Sequence, residues 1–259
     1  GGLVCIVAPD AYLARVLRDD LKALGDLSVD LFPDWEILPY DLYSPHPDLI
    51  SRRLDLLARL PKMTSGVVIV PLTSLMQRLP PTEWLEAHTL SFSGGEMVGR
   101  DALKDRLVDV GYHPTDQVWQ PGQFAARGAV LDLWPMGENT DPYRIEFFDE
   151  EIESIRQFDP DTQRSICKVD SFNLMPAREY PFDQSGRDGF RRRFRLRFDI
   201  DVRRSGVYQD VNDGVQTQGL EQYLPLFFDE TQTLFDYLPK ENRLIMLSGL
   251  EEACFTYHH

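Results

Sequence analysis

The stretch Phe147-Phe148-Asp149-Glu150 imitates the acidic motif that holds Mg²⁺ in ATPases, but nothing around it completes a nucleotide site. Phosphate binding at a strand-to-helix turn needs glycines for close backbone approach and a lysine for the phosphates. No Gly-Lys dipeptide occurs in the 259 residues, and the first apolar run leads straight into Ala8-Pro9-Asp10-Ala11. The acidic stretch therefore reads as a hairpin turn. Metal and nucleophile chemistry lack support too. His46, His88 and His113 are isolated, without paired ligand spacing, and no G-x-S-x-G elbow appears. His46, between Pro45 and Pro47, suits a structural or solvated role. Carboxylates are abundant, yet no pair stands out for acid-base work. No catalytic activity, cofactor or metal is expected of this chain.

Two arginine-rich or aromatic features remain. Phe190 to Phe198 holds five arginines interleaved with aromatics. It suits a nucleic-acid site, but a solvated helix or strand carrying its core aromatics gives the same pattern and is the plainer reading. Tyr40 and Tyr43 have rings able to stack on bases, without basic neighbours, and packing within their loop is the plainer reading. The balance of 42 acids against 27 bases, a formal net charge of -15, is poorly suited to neutralising phosphates as a whole. It suits solubility, or a field that steers a basic protein partner. Cys5, Cys167 and Cys254 are far apart and form no CxxC, so they read as small buried thiols of a reduced, cytoplasmic protein. No apolar run approaches the ~20 residues of a membrane span. Gly1-Gly2-Leu3-Val4 has no basic n-region and does not read as a signal peptide.

The elements that must position any site fall into three stretches. Leu3 to Ala8 is nearly all apolar, as a strand buried on both faces is. Asp10 is placed to cap a helix whose apolar positions are Leu13, Val16, Leu17, Leu21 and Leu24, with Gly25 after its end. Val29 to Phe32 predicts a strand, Pro33 to Pro47 a loop, Asp48 to Leu60 a helix, Gly66 to Val70 a buried strand and Leu72 to Leu79 a short helix. Such alternation implies a parallel sheet with helices on its faces. After Trp84 the pattern changes. Thr89 to Phe92 predicts a strand and Arg100 to Val110 an amphipathic helix closed by Gly111; strands and turns then run from Gln117 to Leu174. This predicts a small α+β domain, one antiparallel sheet backed by a helix. Arg243 to Leu247 predicts a buried strand that returns to the first sheet.

Five collinear segments carry a resemblance. They are Pro33-Asp-Trp-Glu-Ile-Leu-Pro-Tyr-Asp-Leu-Tyr-Ser-Pro-His-Pro-Asp48, Val70-Pro-Leu-Thr-Ser-Leu-Met-Gln-Arg78, Arg127-Gly-Ala-Val-Leu-Asp-Leu-Trp-Pro-Met-Gly137, Tyr143-Arg-Ile-Glu-Phe-Phe-Asp-Glu-Glu-Ile152 and Pro225-Leu-Phe-Phe228. Together they resemble the amino-terminal, UvrB-like module of the bacterial transcription-repair coupling factors (Mfd). The resemblance implies an α/β fold: a degenerate RecA-like parallel-sheet domain over 1–88 and 176–259, with a UvrA-binding α+β domain inserted at 89–175. The missing phosphate loop agrees with that degeneracy. It implies a monomeric docking module without its own ATPase, working in nucleotide excision repair. ATP, Mg²⁺, RNA polymerase and DNA would belong to the full-length protein, whose translocase region is absent here. The runner-up is a UvrB-like damaged-DNA-binding protein. UvrB itself carries a long aromatic hairpin where this chain has only the Leu38–Pro47 loop, which favours the coupling factor.

The resemblance places the UvrA contact on the inserted domain, at Arg127, Arg144 and Phe148. Arg144, Glu146 and Phe148 stand at i, i+2 and i+4 of one predicted strand and share a face, while Phe147 faces the core. Glu146 and Arg156 are further candidates for that face. A guanidinium fork suits a partner's carboxylate, and an aromatic ring beside it supplies apolar contact. From the residues alone, an arginine in a strand is ordinarily a surface or locally paired group, and Phe148 ordinarily core.

Overall fold

The apolar run at the start forms β1 (Leu3–Ala8), buried along most of its length in a parallel sheet. The computed structural model describes residues 2–37, 42–137 and 140–258. Tyr40 lies outside the described residues. The Asp10 carboxylate accepts the Leu13 amide at 2.7 Å and starts α1 (Ala11–Ala23), as capping aspartates do. This helix lays Ala14, Leu17 and Leu21 against the sheet and leaves Leu13 and Leu24 exposed. Then follow β2 (Val29–Leu31), α2 (Pro47–Arg59) and β3 (Gly66–Pro71). Pro47 at the first helical position of α2 costs no hydrogen bond there. Two short helices, α3 (Leu72–Leu75) and α4 (Thr82–His88), complete the stretch.

The middle stretch opens with β4 (Leu90–Ser93) and α5 (Arg100–Asp109). Leu103 and Leu107 of α5 are fully buried. Gly111 closes the helix at φ 100°, and a Cβ there would lie 2.5 Å from Arg178 Nε, so only glycine fits. The strands β5 (His113–Pro114), β6 (Gln123–Arg127), β7 (Val130–Leu133), β8 (Tyr143–Phe148), β9 (Glu151–Phe158) and β10 (Ser165–Val169) form one sheet in sequence order. It is antiparallel except for the two-residue β5–β6 pairing. β11 (Ser171–Leu174) returns to pair with β4 in a separate two-stranded ribbon, a closure that the sequence pattern did not separate from the larger sheet.

The last stretch holds α6 (Gln184–Arg197), α7 (Gly206–Asn212), α8 (Leu234–Tyr237), β12 (Asn242–Met246) and α9 (Leu250–His258). Tyr180, Phe190, Phe194, Tyr208, Val211, Leu220, Leu224 and Phe227 form an apolar cluster of their own. β12 then joins β1 in parallel, giving the order β12-β1-β3-β2. The predicted return is there, but the strand is not buried: Leu244, Ile245 and Met246 are exposed. β12 is the edge strand, and little packs on its faces among the described residues. Cys167 also departs from expectation. Cys5 is buried and its thiol is pushed up to about 11 by burial, whereas Cys167 sits exposed on the edge strand β10. No helix among the described residues is long and apolar enough to cross a membrane.

One buried ion pair ties these stretches together. Arg53 of α2 and Glu179, beyond β11, are both fully enclosed, with Nε–Oε1 at 2.6 Å and Nη2–Oε2 at 3.3 Å. Arg53 also donates to the Pro33 carbonyl at 2.9 Å and lies over the rings of Phe32 and Trp35. Removing one member would strand a charge in the interior. Glu179→Ala is expected to cost about 3–5 kcal/mol of folding stability, measured by urea unfolding. A loss below about 1 kcal/mol, the scale of an exposed pair, would contradict this account of the core.

Candidate partner-binding site

Asp132 lies in the apolar strand β7 with its carboxylate almost wholly buried, 2% exposed. A carboxylate in that position requires cationic donors. The strand register supplies one directly opposite, since Asp132 pairs with Arg144 of β8, and Arg144 pairs with Arg156 of β9. Arg144 donates from Nε to Oδ1 at 2.7 Å and from Nη2 to Oδ2 at 2.8 Å. Its Nη1 donates to the Gln163 carbonyl at 3.2 Å, and its guanidinium lies 5.0 Å from the centre of the Phe158 ring. The hydrogen bonds given to Asp132 raise the pKa of Arg144 above the ordinary arginine value, against the opposing effect of burial.

The second row of the sheet runs Arg127–Val130–Glu146–Ser154 across β6, β7, β8 and β9. Arg127 makes one longer contact, Nη2 to Asp132 Oδ2 at 3.3 Å, and keeps its side chain 56% exposed. Glu146 accepts a short hydrogen bond from the Ser154 hydroxyl and stands 3.7 Å from Arg156 Nε. At the strand end, Phe148 is 72% exposed while Phe147 is buried in the main core. The alternation predicted for Arg144, Glu146 and Phe148 therefore holds, although a register shift follows Glu146. Asp149 adopts φ 58°, turning the chain from β8 into β9, so the acidic stretch is a hairpin turn.

The residues do not play equal parts. Arg127, Glu146, Phe148 and Arg156 present exposed or half-exposed groups on one face. Arg144 does not offer the free fork expected of it. Its side chain is 19% exposed and both edges of the fork are engaged with Asp132 and Gln163. The cause is the register, which sets a buried carboxylate opposite it. Two residues escaped the sequence reading. Asp132 had a signal, a lone acid within Val130-Leu-Asp-Leu-Trp134, where a buried carboxylate implies a cation across the sheet. Met97 had none. It bridges to Glu151, the cross-strand partner of Phe148, and is itself exposed beside that hairpin end. Among the described residues no group of three or more His, Cys, Asp or Glu is placed to hold a metal ion.

A family profile described as the UvrB interaction domain matches residues 90–180. These residues run from β4 through the whole antiparallel sheet and past the closing ribbon strand β11. The chain is 43% identical over 97% of its length to the transcription-repair-coupling factor of Escherichia coli (strain K12), covering 22% of that relative. It is 43% identical to the protein of the same name from Haemophilus influenzae, over 94% of this chain and 21% of the relative. With that of Bacillus subtilis (strain 168) the identity is 31%, over 94% of this chain and 22% of the relative. The chain thus spans about a fifth of the length of these curated relatives.

The geometry separates anchoring from presentation, and stability measurements distinguish them. Arg144→Ala would leave the Asp132 carboxylate with only the long Arg127 contact and is expected to cost about 3 kcal/mol. Phe148→Ala removes an exposed ring and is expected to stay within about 0.5 kcal/mol of the parent. Equal effects of the two variants in denaturant titrations would contradict this division.

Proposed function

We propose that this chain, which matches the UvrB interaction domain over residues 90–180 and is similar to the transcription-repair-coupling factors, is a module that recruits the excision-repair protein UvrA during transcription-coupled repair. The observation that carries this reading is Phe148, a large ring held out from the end of a rigid hairpin, with the half-exposed Arg127 on the same sheet. Aromatic and arginine side chains are the residues most often found to dominate binding energy at protein interfaces. Fixing them on paired strands reduces the ordering cost of association. In this reading Arg144 acts mainly through Asp132. It holds the β7–β8 pair that aims Arg127 and presents only an edge to the partner.

We also read the parallel sheet as a degenerate ATPase-like core without hydrolytic activity, nucleotide or metal of its own. Support comes from the end of β1. There the Asp10 carboxylate accepts the Leu13 amide at the start of α1, a position where a phosphate would seek donors. A fixed carboxylate at that point repels one. ATP and Mg²⁺ chemistry, RNA polymerase and DNA translocation are assigned to the rest of the whole protein, and the module's place is the cytoplasm.

Calorimetric titration of UvrA with the folded variants tests the reading. Phe148→Ala and Arg127→Ala are each expected to weaken binding by about 1–3 kcal/mol, and ATP turnover by this chain alone should be nil. Parent-like affinity in both variants would remove the hairpin face as the docking site, and measurable ATP hydrolysis would remove the non-catalytic half of the proposal.

A further inference from the structure

Between Gln184 and Arg204 the chain carries eight arginines against three aspartates, within a protein of formal net charge -15. The structure sorts these arginines into spent and unspent groups. Phe190 and Phe194 of α6 turn inward to the helical cluster, which leaves the arginines on its outer surface. Arg193 is drawn to Asp229 and to the Leu226 carbonyl, at 3.0 Å for the latter. Arg191 bonds Asp188 and Asn212. Arg187 donates to Gln184 and lies beside the Phe182 ring. Arg192 reaches Asp229 at 2.8 Å, and Arg203 reaches Asp201 at 3.1 Å, both from exposed positions. Arg195, Arg197 and Arg204 are exposed and, among the described residues, have no carboxylate within ion-pair distance. The Arg195 guanidinium lies 5.3 Å from the centre of the Tyr208 ring.

Apolar groups are interleaved with these free cations. Leu196 is 82% exposed, Ile200 is exposed, and Phe198 leans on Phe194 with its outer face open. Arg195 and Leu196 also line one shallow groove along the helix, together with Asp188 and the paired Arg191 and Arg192. The surface thus offers guanidinium forks from α6 and from the turn at 202–204, with apolar side chains between them, on elements separate from the β6–β9 face.

We propose that the arginine surface formed by the end of α6 and the turn at 202–204 binds the sugar-phosphate backbone of a nucleic acid. Guanidinium forks match phosphate oxygens two at a time, and Arg195 and Arg197 in the last turn of α6, with Arg204 in the turn at 202–204 that follows, offer three uncommitted forks. The exposed Leu196 and Phe198 give apolar contact to the sugars and bases beside them. The acidic remainder of the surface repels the same polyanion, so binding is weak and confined to this face. Contacts of this kind position a nucleic acid without reading its sequence.

The test is fluorescence anisotropy of the whole chain with a labelled short duplex DNA, titrated at low and at physiological salt. The expected result is binding at low salt with a log–log salt slope of about -3, as three released counterions require. The triple variant Arg195→Glu, Arg197→Glu, Arg204→Glu should lose about tenfold or more in affinity and flatten that slope. Arg→Gln at the same positions should lose less. All three side chains are exposed, so thermal midpoints are expected to match the parent. UvrA binding by the triple variant should be unchanged, which separates this face from the hairpin site. No binding at low salt, or a triple variant that binds as the parent does, would overturn the proposal. So would equal affinity for polyglutamate, which would assign the face to an acidic protein instead.

Discussion

A carboxylate removed from water has to be met by a cation, and in this molecule Asp132 imposes that demand on the candidate site. The Arg144 fork answers it in two hydrogen bonds, and Arg127 adds a third, longer one. Because these groups come from three adjacent strands, the contact pins β6, β7 and β8 to one another through side chains as well as through the backbone ladder. Pairs of this kind contribute little net stability compared with apolar packing, but breaking them is costly. Their value here is positional. The strand that holds Arg144 ends in Phe148, and the strand that holds Arg127 faces the same way. The orientation of the presented groups is therefore inherited from a knot that is itself hidden.

The same principle links the site to the rest of the chain. Glu179 lies at the far end of the stretch that matches the UvrB interaction domain, and its partner Arg53 is on a helix of the parallel-sheet region. That fully enclosed pair fixes how the antiparallel sheet is mounted. A rigid mount matters for a docking surface, since each side chain ordered only on binding subtracts from affinity. Charge is distributed on a larger scale in a related way. The chain is strongly acidic, yet its arginines gather on α6, where the buried face consumes the aromatics and the outer face keeps the cations.

Much of this was legible in the residues, for identifiable reasons. Asp10 announced α1, and Gly111 announced the end of α5, because capping and positive φ are local requirements. The alternation of Ile145 and Phe147 against Arg144, Glu146 and Phe148 gave the faces of β8, since a strand has period two. What failed depended on register or on neighbours distant in sequence. Nothing local says that Asp132 stands opposite Arg144, so a committed fork read as a free one. Met97 reaches the hairpin end through a bridge across more than fifty residues of chain, and no short pattern encodes that. Arg243 to Leu247 has the composition of a buried strand, but burial is decided by what covers it, and β12 is an edge.

The central claim is that one hairpin end and the adjoining strand turn form the contact surface while Asp132 and Arg144 stay beneath it. Amide hydrogen exchange of this chain, with and without saturating UvrA, tests that claim most directly. The account predicts new protection concentrated at residues 127–130 and 146–152, with α6 unchanged. Protection confined to other elements, or none at the hairpin under saturation, would contradict it.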